Sequence, residues 1–269
     1  MNVTAAPHAF DRALGLRRVD SGRYHLPSDR SWWNHDAAFG GWIAALAGKA
    51  ALAEADDGVE VLTQTTNYAA PLGPETIQVD VERVRAGRKT AFWHVRLADA
   101  ATGEVLVTSD VVTGARRERK LEWQPAPSKL PEPETAFRIE PMQGMPRWLK
   151  HFEQRMIYGR PFQANDRPES MVAVRSVDGR PLDATMLLAL ADIPLPRVFL
   201  MGPPSGLVAT ISMTTQIMAG DADIAAAGDD YVLVECGCAG VRHGLQNQET
   251  RIFRRDGLLL AISYQIARY

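Results

Sequence analysis

The strongest constraint on this chain is that it is written twice. TQTTNYAAPLG (63–73) sets against TISMTTQIMAG (210–220), and ATGEVLVTSDV (101–111) against RDGLLLAISYQ (255–265). A self-match at a period of about 150 residues means two copies of one unit joined by a linker. A chain of 269 residues, 46% of them apolar, can bury one large core or two ordinary ones.

The first copy opens with short apolar and aromatic pieces around Ser21-Gly22, expected as a hairpin-like strand pair ending near Trp32 and Trp33. Gly40 and Gly41 then lead into an Ala-rich helix running to about Asp56, stopped by Asp57-Gly58. Its charges are few, Lys49 and Glu54, so other structure wraps it on most sides. Four β-rich pieces follow, 59–68, 75–84, 89–99 and 104–114, with turn signals between them. One buried helix followed by antiparallel strands is the pattern of a sheet wrapped around a helix. The second copy repeats it, with an apolar helix over 183–193 and strands near 207–218, 231–240, 247–254 and 258–268. Between the copies lie the charge run ARRERK and a string of prolines from Pro125 to Pro146, a linker in composition. The organisation is therefore 1–115, a first repeat; 116–147, a Pro-rich linker; and 148–269, a second repeat.

The copies differ in their polar residues. In PLDATMLLALADI, Asp192 closes a run that is otherwise almost all Ala, Leu and Met, where a charge costs free energy unless something uses it. Beyond the turn at Pro194 and Pro196, Thr210 stands in a β-branched run that reads as a strand leaving the same core. Gln265 lies within the apolar strand LLLAISYQIA, where a buried amide must find partners. In the letter match Gln265 falls opposite Val111, and Asp192 opposite the Lys49–Ala50 region, so one working site per chain is expected, built from both copies. The plainer readings are a helix-end carboxylate satisfied by an amide, a Thr placed for β-propensity, and glycines placed for close helix packing.

Other features exclude function classes. A net charge of −2 argues against a nucleic-acid partner or an anionic membrane surface. No apolar run reaches spanning length and the start MNVTAAPHAFDRALG has no signal segment, so membrane insertion is not expected and the location is expected to be cytoplasmic. Cys236 and Cys238 are too close on one strand for a good disulfide and read as small core thiols. The scattered histidines give no metal motif, no cofactor is implied, and the absence of G-x-S-x-G argues against a serine nucleophile. The basic groups Arg116, Arg117, Arg119, Lys120 and Arg83, Arg85, Arg88, Lys89 read as solvated faces, with phosphate contact as the sharper alternative.

FGGWIAALAGKA, LLALADIPLP, ATISMTT and DGLLLAISYQ, in that order and spacing, resemble the double-hotdog acyl-CoA thioesterases of the thioesterase II type over roughly 10–269. The resemblance implies an α+β double hotdog, two long central helices each wrapped by an antiparallel sheet. It also implies an acyl-CoA substrate, no cofactor, and association into a homo-oligomer. Carried over, the water-activating Asp, Thr and Gln of that family fall on Asp192, Thr210 and Gln265. The chemistry suits these types: a carboxylate accepts the proton of a water that a hydroxyl and an amide orient. A helix C-terminus in an apolar wall is expected to raise the pKa of Asp192. Gly40 and Gly41, at a helix entrance, are the candidates for oxyanion N–H donors. Asp36, beside His35, is the reserve base, or else an ordinary loop residue. Two rivals remain: a hotdog hydratase or dehydratase, for which Asn34-His35-Asp36 lacks the motif's proline and spacing, and a thioester-binding protein without activity. Trp32, Trp33, Trp42 and Phe39 either line or flank the acyl site.

Overall fold

A computed structural model describes residues 6–117, 119–202 and 206–269; the first residues of the start segment read above lie outside them. The first half comprises α1 (Ala9–Ala13), β1 (Arg17–Asp20), β2 (Arg23–Pro27), α2 (Gly40–Ala53), β3 (Glu60–Tyr68), β4 (Thr76–Ala86), β5 (Thr90–Asp99) and β6 (Val105–Gly114). The rest comprises β7 (Phe137–Ile139), β8 (Phe152–Tyr158), β9 (Ser170–Ser176), α3 (Ala184–Leu190), β10 (Ala209–Ile217), α4 (Asp221–Ala225), β11 (Val232–Gly237), β12 (Val241–Arg242), β13 (Leu245–Arg254) and β14 (Leu259–Arg268). The strands form one antiparallel sheet, ordered β1-β2-β4-β5-β6-β3-β10-β14-β13-β11-β9-β8-β7, with β12 on β13. It curls around α2 and α3, whose apolar side chains join one core. This is the α+β double hotdog.

The two halves meet where β3 pairs with β10, and the register there corrects the letter match. Thr66 on β3 bonds Ser109 on β6 at 2.9 Å, and Thr215 on β10 bonds Ser263 on β14 at 3.2 Å. Each pair is a directly opposed cross-strand pair in its own half, so Thr66 is equivalent to Thr215, not to Met213 as the letters suggest. A two-residue slide keeps every side chain on its own face, so the hydrophobic pattern cannot reveal it. The second echo needs no correction: Val111 is equivalent to Gln265.

Local chemistry accounts for the other differences from the expected elements. The hairpin turns at Ser21-Gly22 but ends at Pro27. Asp29 then caps a single 3-10 turn, Arg30–Trp32, by accepting from the Ser31 N–H, and Phe10 lies on α1. The second helix is shorter than 183–193. Asp183 remains extended and caps it through the Met186 N–H, while Pro194 disfavours helical geometry at Ile193. The Pro-rich segment adds the edge strand β7 to β8, and Gln124 holds both the Gly257 carbonyl and the Leu259 N–H.

Arg116, from the basic run, stitches the halves together. It pairs with Glu60 and donates to the carbonyls of Val61, Ile217 and Met218. Arg83 stacks over Trp93 and pairs with Asp56.

Candidate active site

The site begins with a bulge. Met213, Thr215 and Ile217 are buried along β10, so strict alternation would turn Ile211 inward and Thr210 outward. A register shift between Thr210 and Ser212 against β14 inserts one extra residue, leaving Ile211 38% exposed and turning Thr210 towards Gln265. Bulges re-aim side chains in this way. β3 carries the same device, a shift between Val61 and Thr63 against β6, and there the inward residue is Val61, fully buried. Thr210 and Gln265 therefore stand where the first half has Val61 and Val111.

Asp192 comes from the turn that ends α3, where its N–H reaches the Ala189 carbonyl at 3.3 Å. The Gln265 amide joins the three side chains: its Nε2 donates to Asp192 Oδ1 and to Thr210 Oγ1, each at 2.6 Å. The start of α2 closes the site from the first half. A Cβ on Gly40 would lie 2.6 Å from Asp192 Oδ2, and one on Gly41 only 2.2 Å from the Ala189 carbonyl oxygen. These two glycines let the two helices, and the carboxylate, approach backbone to backbone. Tyr68, at the end of β3, donates its hydroxyl to the Gly40 carbonyl at 2.9 Å.

Burial dominates the electrostatics. Asp192 keeps a little solvent contact, yet desolvation raises its pKa to about 7; hydrogen bonds from Gln265 and the Gly41 N–H favour the ionised form and offset part of the rise. Burial, and then the Asp192 charge, push the Tyr68 hydroxyl well above its ordinary range. A carboxyl balanced near neutrality, with a hydroxyl and an amide converging on it, can take a proton from a small molecule such as water.

The structure thus brings Asp192, Thr210, Gln265, Gly40 and Gly41 together. It leaves His35 and Asp36 exposed on the loop before α2, sharing no hydrogen bond with that group. Asn34 accepts instead from the Trp148 indole at 2.8 Å. The aromatics read as possible acyl-site lining pack against other side chains of the core: Phe39 stacks on Trp148 and Trp32 on His151, each with centroids 4.1 Å apart, and Trp42 is fully buried.

Two residues went unnoticed in the sequence. Gln248 is 3% exposed and donates to Gln265 Oε1 at 2.6 Å. Its signal was an amide in the inward series Gln246, Gln248, Thr250 of β13, the series in which an inward strand face is normally apolar. Arg197 is fully buried in the turn after Asp192. It donates to Ser170 Oγ at 2.9 Å and to the Cys236 carbonyl at 3.2 Å, pinning that turn onto β9 and β11. A lone Arg between prolines gave no sign of this.

Residues 29–114 match the family model described as the acyl-CoA thioesterase N-terminal domain, and residues 122–269 match the acyl-CoA thioesterase C-terminal domain. No curated protein matches the chain. Among solved structures, a conserved protein of unknown function with a hot dog fold from Alicyclobacillus acidocaldarius is 27% identical, with 98% of each chain covered and a TM-score of 0.92. The tesB protein of Mycobacterium avium subs paratuberculosis is 20% identical over 96% of this chain and 97% of its own, with a TM-score of 0.78. Acyl-CoA thioesterase II of Mycobacterium marinum is 18% identical over 97% of each chain, with a TM-score of 0.76. No helix among the described residues is long and apolar enough to cross a membrane.

Proposed function

Because the chain belongs to the acyl-CoA thioesterase family, we propose that it hydrolyses an acyl-CoA to the free acid and CoA, by direct attack of a water held by Asp192, Thr210 and Gln265. One observation carries the reading: a single amide nitrogen, Gln265 Nε2, bridges Asp192 and Thr210 at 2.6 Å each. A protein that only bound thioesters would have no use for a desolvated carboxyl tied in this way, and the exposed His35 and Asp36 give a hydratase reading no support.

In the proposed reaction the ionised Asp192 accepts a proton from water as its oxygen adds to the thioester carbonyl carbon. Thr210 orients that water while Gln265 holds the threonine and the carboxylate in line, so the attack needs no further ordering. The tetrahedral oxyanion is stabilised by the N-terminus of α2, with the Gly40 N–H as donor, since the Gly41 N–H is turned to Asp192. Collapse breaks the C–S bond, and the departing CoA sulfur takes the proton from Asp192. No covalent enzyme intermediate and no cofactor enter the scheme.

The test is release of free thiol from a panel of short, medium, long and aromatic acyl-CoAs, with Asp192→Asn beside the wild type. The expected result is turnover by the wild type and a loss of at least about 100-fold in the folded variant. A wild type that cleaves nothing in the panel, or a variant as active as the wild type, would refute the reading.

A further inference from the structure

The polar residues of the second half replace apolar ones of the first as a set, and the set has a third member beyond Thr210 and Gln265. Trp93 stands opposite Val111 on β5, and Gln248 stands opposite Gln265 on β13. Where the first half has Val61, Val111 and Trp93, the second therefore has Thr210, Gln265 and Gln248. Gln248 is buried at a distance from the reacting atoms and touches the group only through Gln265, to whose carbonyl it donates.

An amide has two unlike ends. With its carbonyl held by Gln248, the Gln265 side chain presents only its NH2 to Asp192 and Thr210, and that group has a hydrogen for each. The reverse orientation would set a carbonyl oxygen against the carboxylate. The chain of donors runs one way, from Gln248 to Gln265 to the pair beyond. Its cost is visible at the far end, where Gln248 Oε1 is buried with no partner among the described residues. A residue selected for packing alone would be apolar, as Trp93 largely is.

We propose that Gln248 is a positioning residue, which sets the end of the Gln265 amide that faces Asp192 and Thr210; the inference rests on the reaction proposed above. Its reach into pH dependence is direct, because few groups face the Asp192 carboxyl. They are Gln265 from β14, the Gly40–Gly41 backbone of α2, and Tyr68 from β3, and among the described residues no Lys, Arg or His contributes. Releasing the Gln265 amide removes a donor that favours the ionised carboxylate, so the pKa of Asp192 moves up.

The experiment compares Gln248→Met, near in volume and unable to donate, with Gln248→Glu, which when ionised can only accept and turns the Gln265 amide over. For Gln248→Met, kcat is expected to fall roughly tenfold with KM little changed, and the acid limb of kcat/KM to move to higher pH. In a Gln265→Leu background, Gln248→Met is expected to cost nothing more. The titration of the Asp192 carboxyl carbon, followed by NMR, is expected to shift upward in the same variant without any substrate present. Wild-type kinetics and titration in Gln248→Met would overturn the proposal, as would a full additive loss in the double variant, which would mark a packing role. If the wild type cleaves no thioester, the reaction fails while the titration still decides the role of Gln248. Should Gln248→Met not fold, Gln248→Glu carries both readouts.

Discussion

Asp192 is held at a thermodynamic disadvantage, and its removal is informative for that reason. Folding raises its pKa from 3.8 to about 7, so the folded state binds this proton more tightly than the unfolded chain. This contribution to stability is present below pH 4, declines as pH rises, and is gone above pH 7. Asp192→Asn is therefore expected to stabilise the protein above pH 7 by on the order of 1–3 kcal/mol, seen as a Tm rise of a few degrees that vanishes near pH 4. Wild-type kcat/KM is expected to climb through pH 7 to a plateau, because the base must be ionised; a flat profile from pH 5 to 9 would refute Asp192 as base. At this scale the sequence was readable where a residue contradicted its surroundings. A carboxylate closing ATMLLALA and an amide in LLLAISYQIA are both expensive to bury, and both lie in the site. Gln248 was harder to see, because LQNQETR alternates polar residues on both faces and hides the inward amide among outward ones.

The elements place those residues through close approaches that only glycine allows. The two glycines at the start of α2 are expected to separate stability from activity. In Gly41→Ala the new methyl meets the backbone oxygen of Ala189 at 2.2 Å and the Phe39 ring at 2.6 Å. Neither yields easily, so the helices must part, at a cost of about 1–3 kcal/mol or more and with loss of activity. In Gly40→Ala the methyl meets Asp192 Oδ2 at 2.6 Å, the end of a side chain rather than backbone, and alanine favours the helix. Stability near wild type with a large fall in kcat is expected there, measured by urea denaturation beside the thiol assay; equal destabilisation in both would refute the distinction. The buried helices and the succession of strands along the chain were legible, because an apolar run with few charges can only be wrapped. The bulge was not: ATISMTT looks like an ordinary strand, and the extra residue appears only against its neighbour β14.

The whole molecule is two halves held at the β3–β10 seam, and Arg116 spans it. Arg116→Met removes donors from three carbonyls and leaves Glu60 without its charge partner, with the Asp221 N–H still donating to it. A loss of about 1–3 kcal/mol in urea denaturation is expected, with kcat little changed because the site lies at the other end of β10; an unchanged midpoint would show that the seam holds without it. The duplication made this architecture legible from letters alone, while its register was not, since a two-residue slide keeps every side chain on its own face and leaves the hydrophobic pattern unchanged. The bulge is present in both halves. An extra residue sits at equivalent places, beside Thr210, the proposed water-holding threonine, in one half and beside the buried Val61 in the other. The first half has the same bend with apolar residues at it, so Val61→Thr with Val111→Gln would set the same pair of polar groups there.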